Sequence, residues 1–162
     1  MIEQVTDLLT SVVRSGHKIM WCGNGGSAAD SQHLAAELVG RYKRNREAIA
    51  SLALTTDTSV LTAIANDFGY ENVFSRQVQA LGKKGDALIA LTTSGRSQSI
   101  LNALDTASLL GIHTIIMTGS TAPEKLANYE IRINSTKTEM IQQCHTAIGH
   151  IISEILERNC DD

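Results

Sequence analysis

Long apolar runs are missing from this sequence. Stretches such as "ALIAL" (87–91) fall far short of the about 20 residues that a membrane-spanning helix needs, so no membrane partner is expected. The opening "MIEQVTDLL" is acidic and lacks the basic-then-apolar order of a secretory signal, which predicts a soluble, cytoplasmic chain. Cysteine is scarce: Cys22, Cys144 and Cys160 are too few and too scattered for a disulfide framework or a zinc ribbon, and reduced thiols are expected. Positive charge is not clustered either. With a formal net charge of -3 and no basic run beyond the broken "RYKRNR" (41–46), the chain offers little to nucleic acid, and that segment reads as a solvated face. A Gly-Lys-Ser/Thr phosphate loop is absent, which argues against nucleoside triphosphate chemistry and a nucleotide cofactor. Proline occurs once, at Pro123, where it fits the start of a short helix. With no linker and no low-complexity tract, residues 1–162 are expected to form a single domain.

What is present is alternation. Val5, Leu8, Leu9, Val12 and Val13 recur at helical spacing ahead of Gly16, and "KIMWC" (18–22) reads as a buried strand. A glycine loop and a helix from about Ala28 to Leu38 follow. "SLAL" (51–54) is a second strand, Asp57 a plausible N-cap for a helix through Ile64, and "VFSRQVQAL" (73–81) another helix. After the turn "GKKGD" (82–86), the pattern repeats as strand "ALIAL", polar loop "TTSGRS" (92–97) and a helix over 99–110 closed by Gly111. "HTIIM" (113–117) and "YEIRI" (129–133) supply two more strands around a short helix near Glu124 to Ala127, and a long helix spans about 138–158. Continuous apolar strands alternating with helices predict an α/β fold: a three-layer, doubly wound, flavodoxin-like sheet of about five parallel strands with helices on both faces. In such sheets ligands sit beyond the carboxyl ends of the strands, where the two glycine loops would meet.

"TTSGRS" places the hydroxyls of Thr92, Thr93, Ser94 and Ser97 ahead of a helix N-terminus, whose unpaired N–H groups and partial charge of about +0.5 favour an anion. An ordinary capped turn would look the same from sequence; a small phosphorylated metabolite is the functional reading. His33 and Glu37, four apart, share a helix face and could bind a metal or set a carboxylate base beside an imidazole. Gln142 and His150 lie roughly 80° apart around the last helix, and His145 falls off their stripe. Spacing alone leaves metal, catalysis and simple packing open. Cys22 and Trp21 read as buried strand residues.

Taken together and in order, "CGNGGSAADSQHLAAELVGRY" (22–42), "ANDFG" (65–69), "FSRQV" (74–78), "TTSGRS" and "IQQCHTAIGH" (141–150) resemble the phosphoheptose (sedoheptulose 7-phosphate) isomerases of the sugar isomerase, or SIS, fold. The resemblance implies an aldose-ketose isomerase that converts sedoheptulose 7-phosphate to D-glycero-D-manno-heptose 7-phosphate, the first step toward ADP-heptose and bacterial surface heptose. It implies a homotetramer with shared active sites; family members usually carry a further helix ahead of the first one here that helps assemble the tetramer, a point where this sequence departs from them. By matching positions, Asn24, Gly25, Gly26, Ser27, Glu37, Asn66, Asp67, Thr92, Thr93, Ser94, Ser97 and Gln142 would hold the sugar phosphate. Glu37 would carry a proton between C1 and C2 through a cis-enediol and His150 would exchange the oxygen-bound protons. His33, Glu37, Gln142 and His150 match the positions that hold zinc in metal-bound members. Arg96 stands where relatives are commonly uncharged, and Glu139 near where they often have Asp. Non-catalytic SIS scaffolds that associate with a replication initiator lack the Glu and the final His, both present here; an isomerase of another sugar phosphate is the other alternative.

Overall fold

A computed structural model describes residues 1–160, so the last two of the 162 residues assigned to one domain lie outside the described residues. The order is α1 (Ile2–Arg14), β1 (Ile19–Gly23), α2 (Gly26–Val39), β2 (Ser51–Ala53), α3 (Thr58–Phe68), a 3-10 turn (Tyr70–Asn72), α4 (Ser75–Leu81), β3 (Ala87–Leu91), α5 (Gln98–Leu109), β4 (His113–Gly119), β5 (Tyr129–Ile133) and α6 (Thr138–Asn159). All five strands pair in parallel in the order β2-β1-β3-β4-β5, the doubly wound arrangement expected.

Because neighbouring strand residues point to opposite faces, the apolar runs feed two separate cores. Ile19, Trp21, Ile89, Leu91, Ile115 and Met117 pack with Val5 and Leu9 of α1, Leu34 and Leu38 of α2, and Ile152 and Leu156 of α6. Met20, Cys22, Leu88, Ala90 and Ile116 pack on the other side with Val78 of α4 and Ile100 and Leu104 of α5. Burial pushes the Cys22 thiol up to about 12, an inert strand-end thiol as the sequence suggested.

Two sequence expectations are corrected. Residues 120–128 form turns and bends, with no helix near Glu124 to Ala127 and none for Pro123 to start. Lys125 adopts φ +61, which no right-handed helix tolerates. The segment's backbone is claimed by side chains instead: Arg132 donates to the carbonyls of Ala122 and Pro123, and Glu130 accepts from the Leu126 N–H. Within residues 41–46, Arg41, Lys43, Arg44 and Asn45 are exposed as expected of a solvated face, but the Arg46 side chain departs from it, 1% exposed and paired with Glu157.

At the amino ends of the strands Asp86 is buried and fully engaged. It accepts from the Lys18 N–H at 3.1 Å, the Lys83 N–H at 2.8 Å and the Lys18 ammonium, with His17 Nδ1 at 3.3 Å. Burial alone would raise its carboxyl, but these donors outweigh it and hold it below the usual value.

Candidate active site

At the carboxyl ends, α2 starts directly after β1 because Gly25 takes φ +57, which starts the helix two residues earlier than the sequence reading placed it. The α2 N-terminus carries no side-chain cap, and neither does that of α5, where the Ser97 hydroxyl stands at the cap position without capping. Helix α6 is uncapped as well. All three open on a cavity of about 300 Å³ lined by Asn24, Gly25, Gly26, Ser27, Leu91, Thr92, Thr93, Ser94, Ser97, Thr138 and Gln142. Helix N-termini without side-chain caps, converging with hydroxyls, form a concavity whose chemistry suits an anion. Thr138 is an addition to the predicted set; its place at the start of α6, just past the carboxyl end of β5, was the available signal.

Within this cavity the side chains divide. Thr92 Oγ1 accepts from the Gly95 N–H at 3.2 Å and Ser94 Oγ from the Arg96 N–H at 3.2 Å, so these two hydroxyls shape the loop. Thr93 and Ser97 have no side-chain partner among the described residues, and Arg96 is exposed. The Asn24 amide donates to Ser99 Oγ at 3.0 Å and accepts from the Tyr70 hydroxyl at 2.8 Å, bracing the glycine loop to α5 and the 3-10 turn. Gln142 lies over Gly26, where a Cβ would come within 2.6 Å of its Nε2, so the glycine permits this approach.

A second cluster lies roughly two turns along α2, about 10 Å from the glycine loop by helix rise. His33 Nε2 is 3.0 Å from Glu37 Oε1 and 3.3 Å from His150 Nε2, bringing α2 and α6 together. Ligand atoms of the three residues all fall within 4.8 Å of one another. Two nitrogens bound to one tetrahedral zinc at about 2.0–2.1 Å would sit about 3.3–3.4 Å apart, so this donor set fits such an ion. The Tyr42 ring stacks on His150 with centroids 5.2 Å apart and planes 15° from parallel. His145, on the same helix, is buried; burial pushes its imidazole down to about 4, against the weaker opposing pull of the nearby Thr118 backbone and Asp30.

Asn66 and Asp67 are not brought to the loop cavity within one chain. The Asn66 amide donates to Asp67 at 2.7 Å, and Asp67 lines a different cavity of about 630 Å³ with Val60, Ile64, Phe68 and Arg76. Glu139 is exposed on the first turn of α6. No helix among the described residues is long and apolar enough to cross a membrane.

Residues 1–119 match the SIS domain family. A phosphoheptose isomerase of Akkermansia muciniphila is 53% identical over 159 residues, 97% of this chain and 84% of that one. The solved phosphoheptose isomerase of Neisseria gonorrhoeae superposes with a TM-score of 0.87 at 36% identity, covering 97% of this chain and 85% of that one. The one from Francisella tularensis gives a TM-score of 0.93 at 33% identity, with the same coverage.

Proposed function

The chain belongs to the phosphoheptose isomerases of the SIS-domain family, and we propose that its aldose-ketose isomerisation of sedoheptulose 7-phosphate runs through Glu37 and His150. The observation that carries this reading is the meeting of a carboxylate from α2 with imidazoles from α2 and α6. The sugar phosphate anchors in the loop cavity, its phosphate on Thr93, Ser97 and the free N–H groups of α2 and α5. Glu37 takes a proton from C1 as the C1–C2 double bond forms and His150 protonates the C2 oxygen. The cis-enediol then loses its O1 proton to His150 and gains a proton at C2 from Glu37, which yields the aldose and restores both groups. A single well-placed base contributes typically about 10²–10⁴ in rate.

His33, Glu37 and His150 would hold a zinc ion, with Gln142 the fourth residue implied by the resemblance. When bound, zinc supplies Lewis-acid polarisation of the sugar's carbonyl and hydroxyl oxygens. The same reading takes residues 1–162 as one SIS domain, supported beyond residue 119 by β5 pairing with β4 and by α6 packing on α1 and α2. It includes a homotetramer with shared sites: α3 buries no residue, and Asn66 and Asp67 on it lie away from the loop cavity, available to a neighbouring copy. The free thiols of Cys22, Cys144 and Cys160 favour a reducing compartment, the cytoplasm.

The test is incubation of the purified chain with sedoheptulose 7-phosphate. Formation of the aldose 7-phosphate is expected, lowered by a chelator and restored by zinc. No aldose product with or without zinc overturns the reading.

A further inference from the structure

A histidine that moves protons or binds a metal is normally oriented by a hydrogen bond to its other ring nitrogen. Among the described residues the one hydrogen bond of His150 is at Nε2, to His33, and none reaches its other ring nitrogen. What meets the ring instead is the flat face of Tyr42. Tyr42 is in turn held by an unusual arrangement. Glu157, 1% exposed on α6, accepts three consecutive backbone N–H groups, from Tyr42 at 2.6 Å, Lys43 at 2.9 Å and Arg44 at 3.1 Å. Its carboxylate also pairs with Arg46 Nε at 3.4 Å. The same guanidinium donates to the carbonyls of Leu38 and of Glu37 itself, each at 2.9 Å, and so grips the last turn of α2. Glu37 and His150 stand on helices that are far apart in sequence, and this chain of contacts ties the end of one to the end of the other.

The geometry points to Glu157, Arg46 and Tyr42 as a positioning clasp that fixes the His150 ring opposite Glu37 and His33. Glu157 and Arg46 set the path of residues 41–46, and Tyr42 delivers the orientation as a ring stacked on His150. This rests on the isomerase reading for its rate effect, but not for its effect on ring placement or metal affinity.

The experiment compares the full-length chain with Tyr42→Phe, Tyr42→Ala and Glu157→Gln. Kinetics with sedoheptulose 7-phosphate, zinc affinity by chelator competition, and the ring-current shift of the His150 ring protons are measured. Tyr42→Ala is expected to lower kcat and weaken zinc binding by about 10–100-fold, with KM changed less than about twofold because the phosphate loops are untouched, and to abolish the ring-current shift. Tyr42→Phe keeps the stack and should restore all three. Glu157→Gln should move them in the direction of Tyr42→Ala; if it fails to fold, the Tyr42 pair decides alone. Wild-type kcat and zinc affinity in Tyr42→Ala overturn the clasp, as does a Tyr42→Phe as impaired as Tyr42→Ala. A wild type without turnover sinks the isomerase reading, while zinc affinity and the ring-current shift still judge the clasp.

Discussion

At the amino ends of the strands, Asp86 is buried with donors from Lys18 and Lys83 and with His17 beside it, whereas at the carboxyl ends α2, α5 and α6 begin without a side-chain cap and Thr93 and Ser97 keep their hydroxyls free of side-chain partners. Both ends are rich in polar groups. One end satisfies them internally and gains stability, since an unpaired buried polar group costs about 1–3 kcal/mol. The other leaves them without side-chain partners, as the proposed phosphosugar site requires. Polar residues in a loop therefore say little until their partners are known.

The largest effect expected from testing this division is at Glu37. Glu37→Gln should lower turnover by about 10²–10⁴ while calorimetry still finds phosphosugar binding, because the loop cavity is built from other residues. A variant that isomerises near the wild-type rate removes Glu37 as the base.

Next is Asp86→Asn, which leaves Lys18 and its neighbours facing a neutral amide and should cost about 3 kcal/mol in urea unfolding, with kcat of the folded protein preserved. The acid response sharpens the point. Because the folded Asp86 carboxyl titrates below its ordinary value of 3.8, its contribution is complete above that pH and is lost as pH falls through the lower folded value. The Asn variant should thus show a flatter loss of stability in acid than the wild type. A steeper one contradicts the assignment.

The smallest effect compares two helix starts. Asp57 caps α3 by accepting the Val60 N–H at 3.0 Å, so Asp57→Ala should lower stability by about 1 kcal/mol. Ser97 occupies the same position on α5 without that bond, so Ser97→Ala should change stability by less than about 0.5 kcal/mol yet raise KM for the phosphosugar. Equal thermal shifts in the two variants, with KM unmoved, would erase the distinction.

Much of the fold was legible because the signals were periodic. "ALIAL" and "HTIIM" could be little but buried parallel strands, and Asp57 announced a helix start. The meeting of the two glycine loops followed from the sheet type. Residues 120–128 were misread because their conformation is dictated by Glu130 and Arg132, reaching back from the following strand. The clasp was hidden for a similar reason: Arg46 and Glu157 look like solvated charges, and only their burial against each other says otherwise. A clue existed, since Glu157 stands in helical register with the buried Gly149 and Ser153. Within the site, spacing placed His33 beside Glu37 but could not bring in His150, which arrives by the packing of α6 on α2.

Helix α2 begins at the loop cavity with Gly26 and carries His33 and Glu37 farther down the same rigid rod. Turning it by one residue, about 100°, would swing both side chains off His150 and pull Gly26 away from Gln142 in a single motion. If the sugar phosphate is held as proposed, grip on its phosphate and alignment of its reacting carbons are thus mechanically linked, and neither station drifts without disturbing the other.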